Sequence, residues 1–169
     1  MKKLTLFACV FALFAAFSAG AFSVSSKPAA KPAPSASSSK INWLLDFNEA
    51  LDNAKAENKP LIVLFTGSDW CIWCKRLDAA TLSKPEFSDY ANKNYVMLLC
   101  DFPQAGAKPA QIKKNEALAR SFGIEGFPTL VLIDANSGKS VRFGYSQADT
   151  PEKFFEFVEQ NLPKLKAEK

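Results

Sequence analysis

Two cysteines separated by two residues, Cys71 and Cys74, are the side chains of this sequence best suited to chemistry. An apolar run precedes them and a helical pattern follows, so they should lie on the first turn of a helix, close enough to close a small disulfide ring. The free N–H groups and dipole at a helix N-terminus favour a thiolate at Cys71. Cys71 is therefore the predicted nucleophile, and Cys74 the thiol that resolves the mixed disulfide with a substrate.

The Cys-x-x-Cys spacing alone has three other interpretations: half of a zinc site, a structural disulfide, or two incidental core thiols. A structural zinc site usually needs four Cys or His ligands, and this chain has no histidine and only Cys100 as a further cysteine outside its N-terminal segment. We therefore predict no metal site. Cys100 ends an apolar run and is predicted to be a buried, unreactive thiol.

Composition predicts one ordinary globular domain, because 169 residues with 48% apolar and 22% charged side chains suffice for a core. The formal charge is +4, but two lysines lie at the extreme N-terminus; without them 21 − 2 = 19 basic residues face 17 acidic ones. A balance of +2 gives no reason to expect nucleic-acid binding.

Residues 1–21 have the pattern of a secretory signal: Lys2 and Lys3, an apolar run, and small residues before a predicted cleavage after Ala21. An uncleaved membrane anchor is the alternative, since the run approaches the length that crosses a bilayer. Residues 22–40 are rich in Ser, Pro, Ala and Lys and predict a flexible linker, which would be a tether if the signal is retained. Residues 41–169 form the predicted domain, which we expect in the periplasm.

Apolar periodicity orders the domain as helix, strand, helix, strand, helix, strand, strand, helix. Parallel crossovers followed by an antiparallel hairpin predict an α/β fold, with a central mixed β-sheet flanked by helices on both faces. The predicted elements are helix 47–57, strand 61–65, a helix from the dithiol, helix 86–93, strand 95–101, a helix ending near 122, strands 130–133 and 141–143, and a helix starting at 151.

From about Asn42 to Leu165 the chain resembles the thioredoxin superfamily. Three features carry the resemblance: a strand leading into Trp-Cys-x-x-Cys-Lys, then Gly-Phe-Pro-Thr some fifty residues later, and a terminal hairpin and helix. It implies the thioredoxin fold, a cis Pro128 facing the dithiol, and a Phe127 backbone that pairs with the substrate chain. The Ile72-Trp73 pair is similar to that of an exported disulfide reductase.

Trp70 and Trp73 flank the thiols and, with Ile72, are predicted to form a partly exposed apolar rim that contacts substrate. Thioredoxins proper carry a buried aspartate and a lysine where this chain has Leu64 and Met97. This chain lacks both groups, so the group that accepts the proton of the Cys74 thiol is unidentified. Water and a folded-back Asp69 are the candidates.

These features predict an exported thiol-disulfide oxidoreductase, and the lack of a positive side chain between the cysteines favours a reductase over an oxidant. We expect a monomer without bound cofactor that acts on disulfide-containing exported proteins. A membrane thiol transporter would supply its electrons. The alternatives are a disulfide-donating oxidase, an isomerase, and a binding or chaperone module whose dithiol is only structural.

Overall fold

The computed structural model describes residues 40–166. Within that range the chain forms strands and helices in the order β1 (Trp43–Leu44), α1 (Phe47–Ala56), β2 (Leu61–Thr66), α2 (Ile72–Leu77), α3 (Pro85–Asn94), β3 (Val96–Asp101), α4 (Pro109–Ser121), β4 (Thr129–Ile133), β5 (Ser140–Gly144) and α5 (Pro151–Lys166). A π-helical turn, Asp78–Leu82, follows α2, and a 3₁₀ turn, Tyr145–Gln147, follows β5.

The strands form one mixed sheet in the order β1-β3-β2-β4-β5. β3 is parallel to both β1 and β2, whereas β4 is antiparallel to β2 and forms an antiparallel hairpin with β5. This is the predicted thioredoxin fold. Because β2 is central and its end leads directly to the cysteines, the most buried strand of the sheet positions the dithiol.

Alternate residues of β2 face opposite sides of the sheet, as expected for a strand covered on both faces. Ile62 and Leu64 point into a cluster completed by α2, α3 and α5, where Phe87 and Phe154 are fully buried. The intervening β2 residues point into a second cluster with α1 and α4. A continuous apolar run is therefore the correct signal for this strand.

Local capping signals account for most helix boundaries. The carboxylate of Asp46 accepts hydrogen bonds from the amides of Asn48 and Glu49 and caps α1. Proline opens α3, α4 and α5, at the one position where its missing N–H costs nothing. Gly123, with φ of +60°, follows α4 in the left-handed conformation that glycine adopts without strain.

Three local features differ from the sequence prediction. The sheet begins with β1, which the periodicity missed because a two-residue strand is too short to show a pattern. Its Trp43 is half-buried and packs against the core. The π-helical and 3₁₀ turns were also not predicted.

The predicted signal of residues 1–21, and all of the linker except Lys40, lie outside the described residues. Lys40 already belongs to the ordered domain, because its carbonyl accepts a hydrogen bond from Asn92. Between residues 40 and 166, no helix has the length and apolarity needed to cross a membrane.

Candidate active site

The two cysteines lie where β2 ends and α2 begins, as predicted. Cys71 is the N-cap residue of α2, Cys74 lies in its first turn, and the two form a disulfide with Cα atoms 5.2 Å apart. The Cys74 backbone N–H donates to Cys71 Sγ at 3.1 Å. This donor would remain beside Cys71 after reduction and, with the positive end of the helix, stabilise a thiolate there.

Pro128 lies beside the dithiol, because Thr129 at the start of β4 pairs with Phe65 near the end of β2. The Phe127–Pro128 peptide bond is cis, as the resemblance implied. The carbonyl oxygen of Phe127 lies 3.7 Å from Cys71 Sγ. The fold thus brings a short stretch of backbone next to the predicted nucleophile, although 56 residues separate the two in sequence.

An apolar rim surrounds the buried sulfur atoms. Trp70, Ile72 and Trp73 are exposed by 46%, 58% and 47%, so the predicted rim residues do face solvent. Cys71 and Cys74 themselves retain only 6% and 4% exposure. The two buried sulfur atoms therefore lie next to three large exposed apolar side chains.

Two further aromatic residues belong to the rim and were missed by sequence reasoning. Phe102 stacks on Phe127 with ring centroids 5.0 Å apart, and its carbonyl accepts a hydrogen bond of 2.8 Å from the Trp70 indole. Tyr145 packs against Trp73 with centroids 5.2 Å apart. Both follow strand ends, but no local pattern distinguishes them from the many other aromatic residues of the chain.

Two carboxylates fix the turn between β2 and the dithiol to the end of β3 and to the loop that follows it. Asp101 accepts hydrogen bonds from the amide and hydroxyl of Ser68, at 2.9 and 2.6 Å. Asp69 accepts from the amides of Gln104 and Ala105 at 2.9 to 3.0 Å. These contacts hold the turn that carries Trp70 and Cys71 in one place.

The amides of Ala105 and Gln104 lower the pKa of Asp69 below its ordinary value, because they donate to the charged carboxylate. Asp69 was one of the two candidates for the proton acceptor of Cys74. Its carboxylate instead points to the loop after β3, so that hypothesis is wrong. Leu64 and Met97 are 4% and 2% exposed and leave the positions of the missing acid and lysine apolar.

Cys100 is unpaired and 2% exposed, which confirms its predicted burial. Desolvation raises its pKa to about 12, since burial penalises the thiolate. Among residues 40–166 no group of three His, Cys, Asp or Glu side chains could hold a metal ion.

Comparison with known proteins gives a consistent result. The family model of the thioredoxin-like domain matches residues 47–159. Disulfide bond reductase DsbH of Chlamydia pneumoniae is 39% identical over 100 residues, 59% of this chain and 60% of that protein. Thioredoxin-related protein DsbJ of the same organism is 30% identical over 120 residues, 70% of this chain and 34% of that protein.

A solved structure described as DsbH oxidoreductase matches with a TM-score of 0.64 and 32% identity, covering 85% of this chain and 96% of the other. These findings confirm the expected similarity to a disulfide reductase. The chain nevertheless aligns with only 60% and 34% of the lengths of the two curated relatives.

Proposed function

This chain belongs to the thioredoxin-like domain family, and we propose that it is a periplasmic thiol-disulfide oxidoreductase that reduces the disulfides of exported proteins. The observation that carries the proposal is the position of Cys71, at the start of α2 and 3.7 Å from the carbonyl of Phe127. The Cys71 sulfur, a helix N-terminus and the backbone of Phe127 meet at this point.

The proposed reaction has two exchange steps. The Cys71 thiolate attacks one sulfur of a substrate disulfide, forms a mixed disulfide and releases the first substrate thiolate, which takes a proton from water. The Cys74 thiolate then attacks Cys71 Sγ, closes the Cys71–Cys74 disulfide and releases the second substrate thiolate, which takes a proton from water. Two electrons pass from the dithiol to the substrate, so the reaction needs no bound cofactor.

Substrate would bind as an extended chain beside Phe127 and Pro128, pairing with the Phe127 backbone. Trp70, Ile72 and Trp73 would contact the residues on either side of the substrate cysteine. This arrangement fits protein substrates of varied sequence, because backbone pairing and apolar contact require no particular side chain.

The charges near the dithiol support the direction of reduction. Lys75 donates to the carbonyl of Asp69 at 2.7 Å, and the Arg76 guanidinium lies 4.5 Å from the centre of the Trp73 ring. Neither cation is directed at Cys71, so the reduced form lacks the added stabilisation that makes a dithiol strongly oxidising. One curated relative is, by its name, a disulfide bond reductase.

The proposed location rests on residues 1–21, whose composition is that of a secretory signal. In an oxidising compartment the enzyme must be reduced after each turnover. We propose a membrane thiol transporter as the electron donor and exported disulfide-containing proteins as substrates, with the enzyme acting as a monomer.

Replacing Cys74 with serine tests the exchange chemistry. The Cys74→Ser variant should accumulate mixed disulfides between Cys71 and exported proteins, whereas Cys71→Ser should accumulate none. Non-reducing electrophoresis with and without thiol reductant measures both. Equal protein capture by the two variants, insensitive to reductant, would instead indicate a binding module with a structural disulfide.

Equilibration of the Cys71–Cys74 pair in glutathione buffers tests the direction. A reduction potential near about −270 mV, as for thioredoxin, is expected of a reductase. A value near about −120 mV, as for a strong oxidant, would reverse the assignment and make the protein a disulfide donor.

A further inference from the structure

The resolving thiol lies beside a cavity that the exchange chemistry described above does not use. Cys74 is 4% exposed, and the cavity next to it has a volume of about 290 Å³. Such a volume can hold several water molecules, each of which takes roughly 30 Å³ in the liquid. Cys74, although shielded from bulk solvent, therefore borders a space through which a proton can leave.

Leu64 and Leu99 of the sheet form an apolar wall of this cavity, and neither side chain can accept a proton. Its polar wall includes Thr66, Ser68 and Asp78. The Ser68 hydroxyl donates a hydrogen bond to the Asp101 carboxylate. Among the described residues that line the cavity, Asp78 is the only carboxylic acid.

Asp78 is well placed to act on Cys74. It lies four residues later along the continuous helical turns of α2 and the π-helical turn, so both side chains project to the same side. Ser83 donates a hydrogen bond of 2.8 Å to Asp78 Oδ2, which fixes the carboxylate and leaves Oδ1 available to water. An adjoining cavity of about 320 Å³ shares Asp78 and opens the path further, towards Lys40.

We propose that Asp78 accepts the proton of the Cys74 thiol through water in this cavity when Cys74 attacks the mixed disulfide. The inference rests on the proposed exchange function. In this step the Cys74 S–H bond breaks and its proton passes through water to the carboxylate. The new Cys74–Cys71 bond then forms as the Cys71–substrate bond breaks, and the substrate leaves as a thiolate that takes a proton from solvent.

Other charged groups near Asp78 affect the same step. Lys40 and Lys75 line the two cavities, although the Lys75 amino group is hydrogen-bonded to the carbonyl of Asp69. Asp101 lies behind Ser68 on the sheet side. Lys40, Lys75 and Asp101 are therefore the charged groups that border the space through which the proton would pass.

The two steps can be measured separately in the full chain. Reduced protein is mixed with a peptide disulfide, samples are quenched with acid, and mass spectrometry follows the mixed disulfide as it forms and decays. With Asp78→Asn, formation should keep its rate, whereas decay at pH 7 should slow by about tenfold. This is less than the 10²–10⁴ of a well-matched general base, because an exposed carboxylate acting through water is a weaker one.

The pH dependence separates proton transfer from a structural effect. Once the pH exceeds the pKa of the Cys74 thiol, that thiol ionises without a base, so the difference in decay rate between Asp78→Asn and the wild type should shrink as the pH is raised. Asp78→Glu should restore most of the rate at pH 7. Ser83→Ala, which keeps the carboxylate but removes its hydrogen bond, should stay close to the wild type.

Asp52→Asn is the matched control, since Asp52 is an exposed helical aspartate of α1, away from the dithiol. If the mixed disulfide decays at the same rate in Asp78→Asn and Asp52→Asn, the assignment is overturned. Slowing by the same factor at every pH, which indicates a structural effect, would also overturn it, as would faster decay, which indicates that the negative charge opposes the thiolate. Failure of the reduced wild type to reduce the peptide disulfide, together with absence of any mixed disulfide in Cys74→Ser, would refute the proposed function instead.

Discussion

Replacing Gly67 with alanine should destabilise the protein by displacing the Trp70 side chain. Gly67 is buried in the turn before the dithiol, and a Cβ at this position would lie 2.6 Å from Cζ2 and Nε1 of the Trp70 indole. Carbon atoms do not approach this closely, so the ring has to move. The indole is held by its hydrogen bond to the Phe102 carbonyl and by the Phe127 ring, with centroids 6.0 Å apart.

The size of the effect follows from those two contacts. The Trp70–Phe102 hydrogen bond contributes about 0.5–1.5 kcal/mol, and an aromatic pair in edge contact adds about 0.5–1.5 kcal/mol. Loss of both predicts a decrease of about 1–3 kcal/mol in the free energy of unfolding. Because Trp70 precedes Cys71 directly, the same displacement should also lower kcat/KM for disulfide reduction.

Urea unfolding of the oxidised protein, followed by circular dichroism, measures the free energy. Gly126→Ala is a matched control, since nothing lies within 4 Å of a Cβ built there, and it should stay within about 0.5 kcal/mol of the wild type. In a Trp70→Ala background, Gly67→Ala should cost less than about 0.5 kcal/mol. A full cost in that background would show that the Trp70 ring is not the cause.

Two other predictions concern the titratable groups. The Ala105 and Gln104 amides lower the pKa of Asp69, and Lys114 chiefly lowers that of Asp46. The stability that the two ionised carboxylates add is present above the unfolded pKa of about 3.9 and is lost as the pH falls through the lowered folded pKa values. Urea midpoints below about pH 5 should thus fall less steeply in an Asp46→Asn, Asp69→Asn double variant, and unchanged steepness would contradict this account. Burial raises the pKa of Cys100 to about 12, so iodoacetamide at about pH 8 should label Cys71 in the reduced native protein and reach Cys100 only after unfolding. Peptide mapping by mass spectrometry measures this, and labelling of Cys100 in the native protein would contradict the prediction.

The local signals in the sequence were sufficient for most of the elements. The run from Leu61 to Phe65 predicted the central strand, because a strand buried on both faces carries no polar residues. The predicted helix start at Pro151 is confirmed, and the Thr150 hydroxyl and carbonyl accept hydrogen bonds from the first turn of α5. The residues themselves also placed Cys71 at a helix N-terminus. The cis Pro128 came only from the family resemblance.

What surrounds the dithiol was decided by the tertiary structure. Trp70 contacts Phe102, 32 residues away, and Asp69 contacts Gln104, 35 residues away. The short strand β1 exists because β3 lies beside it. Capping and periodicity act over a few residues, so they identify strands, helices and the reactive cysteines. Which loop meets the dithiol turn and where Asp69 points depend on segments that only the folded sheet brings together.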